Sequence, residues 1–158
     1  MSREKVLTYN KKVIESDSRV WSFVDFVYPI DSNPTNDSNP IEDWYSGLSE
    51  EAQDDFDGLL RDAHKTESHL NWIGWKRFLK GAARPERIWE LQFVADNRQY
   101  RILGKFGSVR KQAILLCGCY HKQGNYTPTD AIETACKRSK ALKNGDGRLH
   151  ERQIKKTI

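Results

Sequence analysis

IWELQFVA (88–95), DNRQ (96–99), YRILGKF (100–106), GSVR (107–110) and KQAILLCGCY (111–120) follow one another without a break. Three runs rich in β-branched and aromatic residues alternate with short polar links, which is the pattern of consecutive antiparallel strands. Asp96-Asn97 and Gly107-Ser108 bring residue types that tolerate the positive φ of tight hairpins. Ala113 to Cys119 is apolar at almost every position, so it reads as a strand covered on both faces. Arg98, Arg101, Lys105, Arg110, Lys111 and Lys122 are threaded through this meander, and a sheet with that many cations is a surface a polyanion can use.

The elements around the meander complete an α+β reading. Val20 to Ile30 is aromatic and β-branched and reads as a strand closed by Pro29. Asp25 within it reads as a solvated carboxylate on an edge strand. Asp31 to Pro40 holds only turn and loop residues and reads as a mobile loop inserted near 31–40. Ile41 to Leu48 reads as a short helix. A longer one starts at the Ser49 cap and runs to about Lys65, with Ala52, Phe56, Leu59, Leu60 and Ala63 on its apolar stripe. Thr127-Pro-Thr-Asp130 reads as the start of a C-terminal helix, with Thr127 as cap and Pro128 at the first helical position. Asn144-Gly145 ends that helix. Met1 to Arg19 reads as a frayed arm or weak helix, and 146–158 as a mobile or partner-ordered basic tail. The expectation is one domain over 1–145: a small twisted, mainly antiparallel sheet, two N-terminal helices packed on it, and a C-terminal helix.

Charge is divided along the chain. Residues 1–70 carry 7 Lys+Arg against 15 Asp+Glu, and residues 71–158 carry 19 against 7. The basic half points to a polyanion; solvated faces of opposite sign are the plainer explanation. No apolar run approaches a membrane span, and three cysteines fit a reducing compartment, so a cytoplasmic protein is expected.

Candidate chemistry gathers at the end of the apolar strand. His121-Lys122 falls where that strand exits into Gln123-Gly124-Asn125, a place that suits either a proton-transfer group or an exposed polar exit. Arg101, flanked by residues that belong in a core, needs a partner: a carboxylate such as Glu90 on the next strand, or a phosphate. Tyr120 and Tyr126 are second candidates. Lys76, Arg77 and Lys80 can touch phosphate or simply be solvated. Cys117-x-Cys119-x-His121 would place three metal-capable groups in a line along one strand, which suits a tetrahedral ion poorly, so buried thiols are expected.

FLKG, IWELQF, DNRQYRIL, AILLCGCYHK and TPTDAIETACKR, in that order, resemble the RelE/ParE/HigB superfamily of toxins from type II toxin–antitoxin systems, most nearly its phage-derived, HigB-like group. The resemblance runs from about Trp44 to Leu142. It implies a metal- and cofactor-independent mRNA endoribonuclease acting at the ribosome, in which the 2′-OH attacks the adjacent phosphate. The implied partners are a cognate antitoxin, mRNA and the ribosome, with an oligomeric toxin–antitoxin complex possible and no membrane. Carried over by position, Arg101 would bind the scissile phosphate, His121 would be general acid or base, and Lys122 would assist with charge. Lys80, Arg98 and Lys105 would position the RNA backbone. Gln92 stands where the family commonly has Arg, and Arg87 is the nearest cation to replace it. The same resemblance leaves open a ParE-like gyrase inhibitor, or a relative that binds RNA with a decayed nuclease site.

Overall fold

A computed structural model describes residues 20–155 of the chain. The meander forms as its alternation requires. β3 (Trp89–Ala95), β4 (Arg98–Phe106) and β5 (Gln112–Lys122) pair antiparallel, with Asp96 and Asn97 both at positive φ in the first hairpin. In the second link the positive φ falls on Lys111 rather than on Gly107. β2 (Trp75–Phe78) joins β3 on one side. β1 (Ser22–Val27), β6 (Asn125–Thr127) and β7 (Arg148–Glu151) complete a sheet ordered β2-β3-β4-β5-β1-β7, with β6 on the C-terminal part of β5.

Among the described residues three α-helices cover the sheet. α1 (Pro40–Ser46) is capped by Asn39 and α2 (Glu50–Ala63) by Ser49, whose side chain accepts from the Ala52 N–H. Phe56, Leu59, Leu60 and Ala63 of α2 bury against Trp72, Trp89, Leu91 and Ile102. α3 (Ala131–Lys143) covers the opposite face, where Ala131 and Ala135 meet Leu103, Leu116 and Cys117. The alternation of β4 explains the two layers: Tyr100 and Ile102 belong to the α1/α2 side, Arg101 and Leu103 to the α3 side. Gly118 lets α1 approach, because a Cβ there would lie 2.1 Å from the Trp44 ring.

The ends of the described chain depart most from expectation. β1 is an interior strand, parallel to β5 and antiparallel to β7. Asp25 is therefore no solvated edge carboxylate: it is buried, and it accepts from Arg152 Nη1 at 2.9 Å and Asn39 Nδ2 at 3.0 Å. Burial pushes its carboxyl pKa up, while Arg152 and Asn39 oppose that rise. The Arg152 guanidinium also reaches Glu42 at 2.6 Å and lies over the Tyr45 ring. Within the basic tail, Arg148–Glu151 is thus a strand rather than a mobile segment. The 31–40 loop is tied down too: Tyr28 and Ser38 exchange backbone bonds, Pro34–Asn36 forms a 3-10 turn, and Arg148 donates to the Asp31 carbonyl. At the C-terminal helix, Thr127 pairs with Tyr120 in β6 instead of capping, and the helix begins at Ala131 after a cis Thr127–Pro128 peptide. The arm expected over Met1 to Arg19 lies outside the described residues.

Arg152→Met strands the Asp25 carboxylate in the core. Urea unfolding should show a loss of roughly 3–5 kcal/mol, the cost of removing one partner of a buried pair; an unchanged midpoint would mean that the pair does not hold β7 in place.

Candidate functional site

Glu90 is wholly inaccessible to solvent, although it sits mid-strand in a carboxylate's unfavourable surroundings. Register explains what compensates it. Arg77 of β2 is directly opposite Glu90, and its Nε lies 3.4 Å from Glu90 Oε1. Arg101 of β4, on the same face, places Nε 3.3 Å from Glu90 Oε2. The Tyr126 hydroxyl donates to Glu90 Oε2 at 2.6 Å, and His121 Nε2 stands 3.8 Å from that oxygen. Arg101 Nη1 also donates to the Tyr100 carbonyl and Nη2 to Gln99 Oε1.

This cluster lies on the α3 side of the sheet, where Tyr126 packs against the core that the helix covers. Gln92, Arg101 and Cys119 are in one cross-strand row, and Gln99, His121 and Tyr126 in the next. The Gln123-Gly124 turn, with both residues at positive φ, folds β6 back so that Tyr126 meets His121 edge-on, ring centroids 4.3 Å apart. Solvent access is graded across the group: the Arg101 side chain is 4% exposed, His121 16% and Arg77 55%. Burial pushes the His121 pKa below its ordinary 6.5, and the neighbouring Arg101 charge adds to this against the opposing pull of Glu90. The imidazole is therefore neutral near pH 7 and can accept a proton. Burial and the bond to Glu90 push the Tyr126 hydroxyl pKa up, so that it remains a donor.

The carried-over residues divide into separate places. Arg101 and His121 come together, with Gln92 in the adjoining row. Lys122 follows His121 on the same strand and has the opposite parity, so the pair does not converge on one face. Arg98 lies on the α1/α2 side, its guanidinium 4.6 Å over the Tyr120 ring. Arg87 and Lys105 share a small cavity of about 220 Å³ with Phe78, Glu86 and Lys143. There Lys105 donates to Ser139 at 2.7 Å, and burial, with repulsion from Lys143, lowers its pKa. Lys80 is exposed just after β2. The resemblance assigns no role to Glu90, Tyr126 or Arg77; the residues themselves offer Glu90 as a partner for Arg101, Tyr126 as a second candidate for its nearness to His121, and Arg77 as a possible phosphate contact.

Cys117 and Cys119 share this face as buried free thiols, with pKa values pushed up by burial. Among the described residues no three His, Cys, Asp or Glu side chains converge as a metal site, and no helix is long and apolar enough to cross a membrane.

One comparison with known proteins finds a match. Residues 43–140, more than half of the chain, match the family model described as phage derived protein Gp49-like (DUF891). The chain belongs to this family, which is associated with RelE-like toxin–antitoxin proteins. No curated protein and no solved structure matches the chain.

Two measurements test this geometry. A proton NMR titration should place the His121 midpoint below 6.5. Because the unfolded chain then binds the proton at higher pH than the folded one, His121 makes stability rise with pH across the window between the depressed value and 6.5. Tyr126→Phe removes the hydroxyl donor from buried Glu90 and should cost about 1–3 kcal/mol in urea unfolding; a neutral result would remove Tyr126 from the cluster.

Proposed function

We propose that the chain is the toxin of a type II toxin–antitoxin module and cleaves mRNA at the ribosome with its own side chains as the proton carriers. The observation that carries this reading is the neutral, partly exposed imidazole of His121 held against the Glu90–Arg101 pair. A neutral imidazole can take the proton from a ribose 2′-OH as that oxygen attacks the adjacent phosphate. The bond from phosphorus to the 5′-oxygen of the following nucleotide then breaks, that oxygen takes up a proton from the imidazolium just formed or from water, and a 2′,3′-cyclic phosphate remains. Arg77, the most exposed guanidinium of the group, is placed to meet the phosphate charge. Arg101 is already engaged, so its part is to keep His121 unprotonated and to fix Glu90 rather than to clamp the phosphate itself. Lys80, Arg87 and Lys105 provide positive charge on other parts of the surface for the RNA backbone. Membership of a toxin–antitoxin family supports an antitoxin as the neutralising partner.

A second reading is favoured by the same cluster. Arg101 is buried and paired, and Gln92 beside it supplies no charge. A toxin with those features can act by binding, either to RNA without turnover or to a protein target such as gyrase.

Induction in a bacterial host with mapping of RNA 5′ ends separates these readings. New ends inside translated regions are expected, and His121→Ala should lower their yield by about a hundredfold or more, the scale of a lost acid–base group. Growth arrest without new ends would transfer the conclusion to the protein target. Salt-dependent RNA binding without arrest or cleavage would transfer it to the non-catalytic reading.

A further inference from the structure

β2 covers only part of β3. Their pairing runs from Trp89 to Leu91, and the Gln92 N–H donates to the Gly74 carbonyl. Beyond that point no strand of the described residues lies along the outer edge of β3. Backbone direction alternates by two, so the N–H and C=O of Val94 point outward as those of Gln92 do. An unpaired edge of this kind is a template for another extended segment.

What borders the edge makes it selective. A groove of about 510 Å³ runs between it and α2, with Asp54, Asp55, Gly58 and Asp62 on the helix side and Ile73 and Val94 on the other. Ile73 and Val94 are 68% and 66% exposed. Asp54 is paired with Lys155, and Arg61 is turned onto the Lys155 carbonyl. Asp55 and Asp62 have no cation paired with them among the described residues. Asp55 has its pKa raised by burial and by repulsion from Glu51, Asp54 and Asp96, so an incoming cation would be favoured there.

Gly58 adds an independent observation. A glycine inside a helix costs about 0.5–1 kcal/mol relative to alanine, yet packing does not require one here. A Cβ at 58 would touch only the Arg61 side chain, at 3.5 Å. The absent side chain leaves the groove open at this point. The chain also shows how this helix receives such a segment. Ile154 packs against the core, the Lys155 N–H donates to Asp57 at 3.2 Å, and the Lys155 ammonium reaches Asp54 at 3.1 Å.

We propose that the free edge of β3 and the acidic face of α2 form a docking groove for an extended, lysine- or arginine-bearing segment of a partner polypeptide. The segment adds as a strand beside Phe93–Ala95, its cations meet Asp55 and Asp62, and its apolar side chains cover Ile73 and Val94. Main-chain bonds would supply affinity and the carboxylates selectivity. Nucleic acid is excluded as the occupant by the sign of the charge. The groove is separate from the His121 cluster, and the inference stands whether or not the chain cleaves RNA.

The test uses the full chain and a short fluorescent peptide alternating valine and lysine, followed by anisotropy. Binding that weakens with salt is expected. The double substitution Asp55→Asn, Asp62→Asn should weaken it roughly threefold to tenfold. Gly58→Leu should abolish it with no fall in melting temperature. A peptide with glutamate for lysine, and one with N-methylated backbone amides, should not bind. Absence of binding by the valine–lysine peptide, equal binding by either control peptide, or indifference to the groove substitutions would each overturn the proposal.

Discussion

A carboxylate without solvent has to be compensated by its immediate neighbours, and Glu90 imposes that demand at the centre of the sheet. Four side chains from four other strands answer it: Arg77 from β2, Arg101 from β4, His121 from β5 and Tyr126 from β6. Each reaches Glu90 only if its strand is in register, since a slip of one residue would send the side chain to the other face. The cluster is thus a lock on register as well as a candidate reaction centre. The same compensation sets the acid–base character of the group. Burial, aided by the cation that neutralises Glu90, favours the unprotonated imidazole, and the hydroxyl that completes the shell remains a donor.

A second buried charge pair performs a comparable task at the far side of the sheet. Asp25 and Arg152 are separated by 127 positions in sequence, yet their 2.9 Å bond joins the first and last strands of the described chain. Glu42 and the Tyr45 ring extend the contact to α1. The family match begins at Asp43, so β1, the 31–40 loop and β7 lie outside it. These three segments hold one another: β7 pairs with β1, Arg148 bonds to the loop carbonyl at Asp31, and His150 lies 2.9 Å from Asp37. They form an addition to the sheet with its own internal logic, attached to the family's portion through β5 and α1.

The meander was legible because its signals are local. Alternation, the Asp96-Asn97 hairpin and the apolar run through Ala113 to Cys119 depend on neighbours in sequence, as do the Ser49 cap and the α2 stripe. Glu90 was legible as a partner for Arg101 for the same reason, since consecutive strands pair. What local pattern could not supply was the origin of distant partners. Asp25 has the appearance of an edge carboxylate until Arg152 is known to return beside it. Thr127-Pro128 has the composition of a helix start, and strand pairing with Tyr120 overrides it. His121-Lys122 looks like a functional pair in one dimension, while strand geometry places its members on opposite faces.

The order in which the sheet is assembled has a consequence during synthesis. β1 is made first but takes its place only after β5 exists to pair with it on one side and β7 on the other. Until the ribosome has passed Arg152, the Asp25 carboxylate lacks its guanidinium and the outer side of β1 has no strand. A nascent chain therefore has a half-finished sheet through most of its elongation. Its long-range closure is the step that such topologies make slow. During that interval the outer edge of β1 is exposed, a template on which another polypeptide can pair in place of β7.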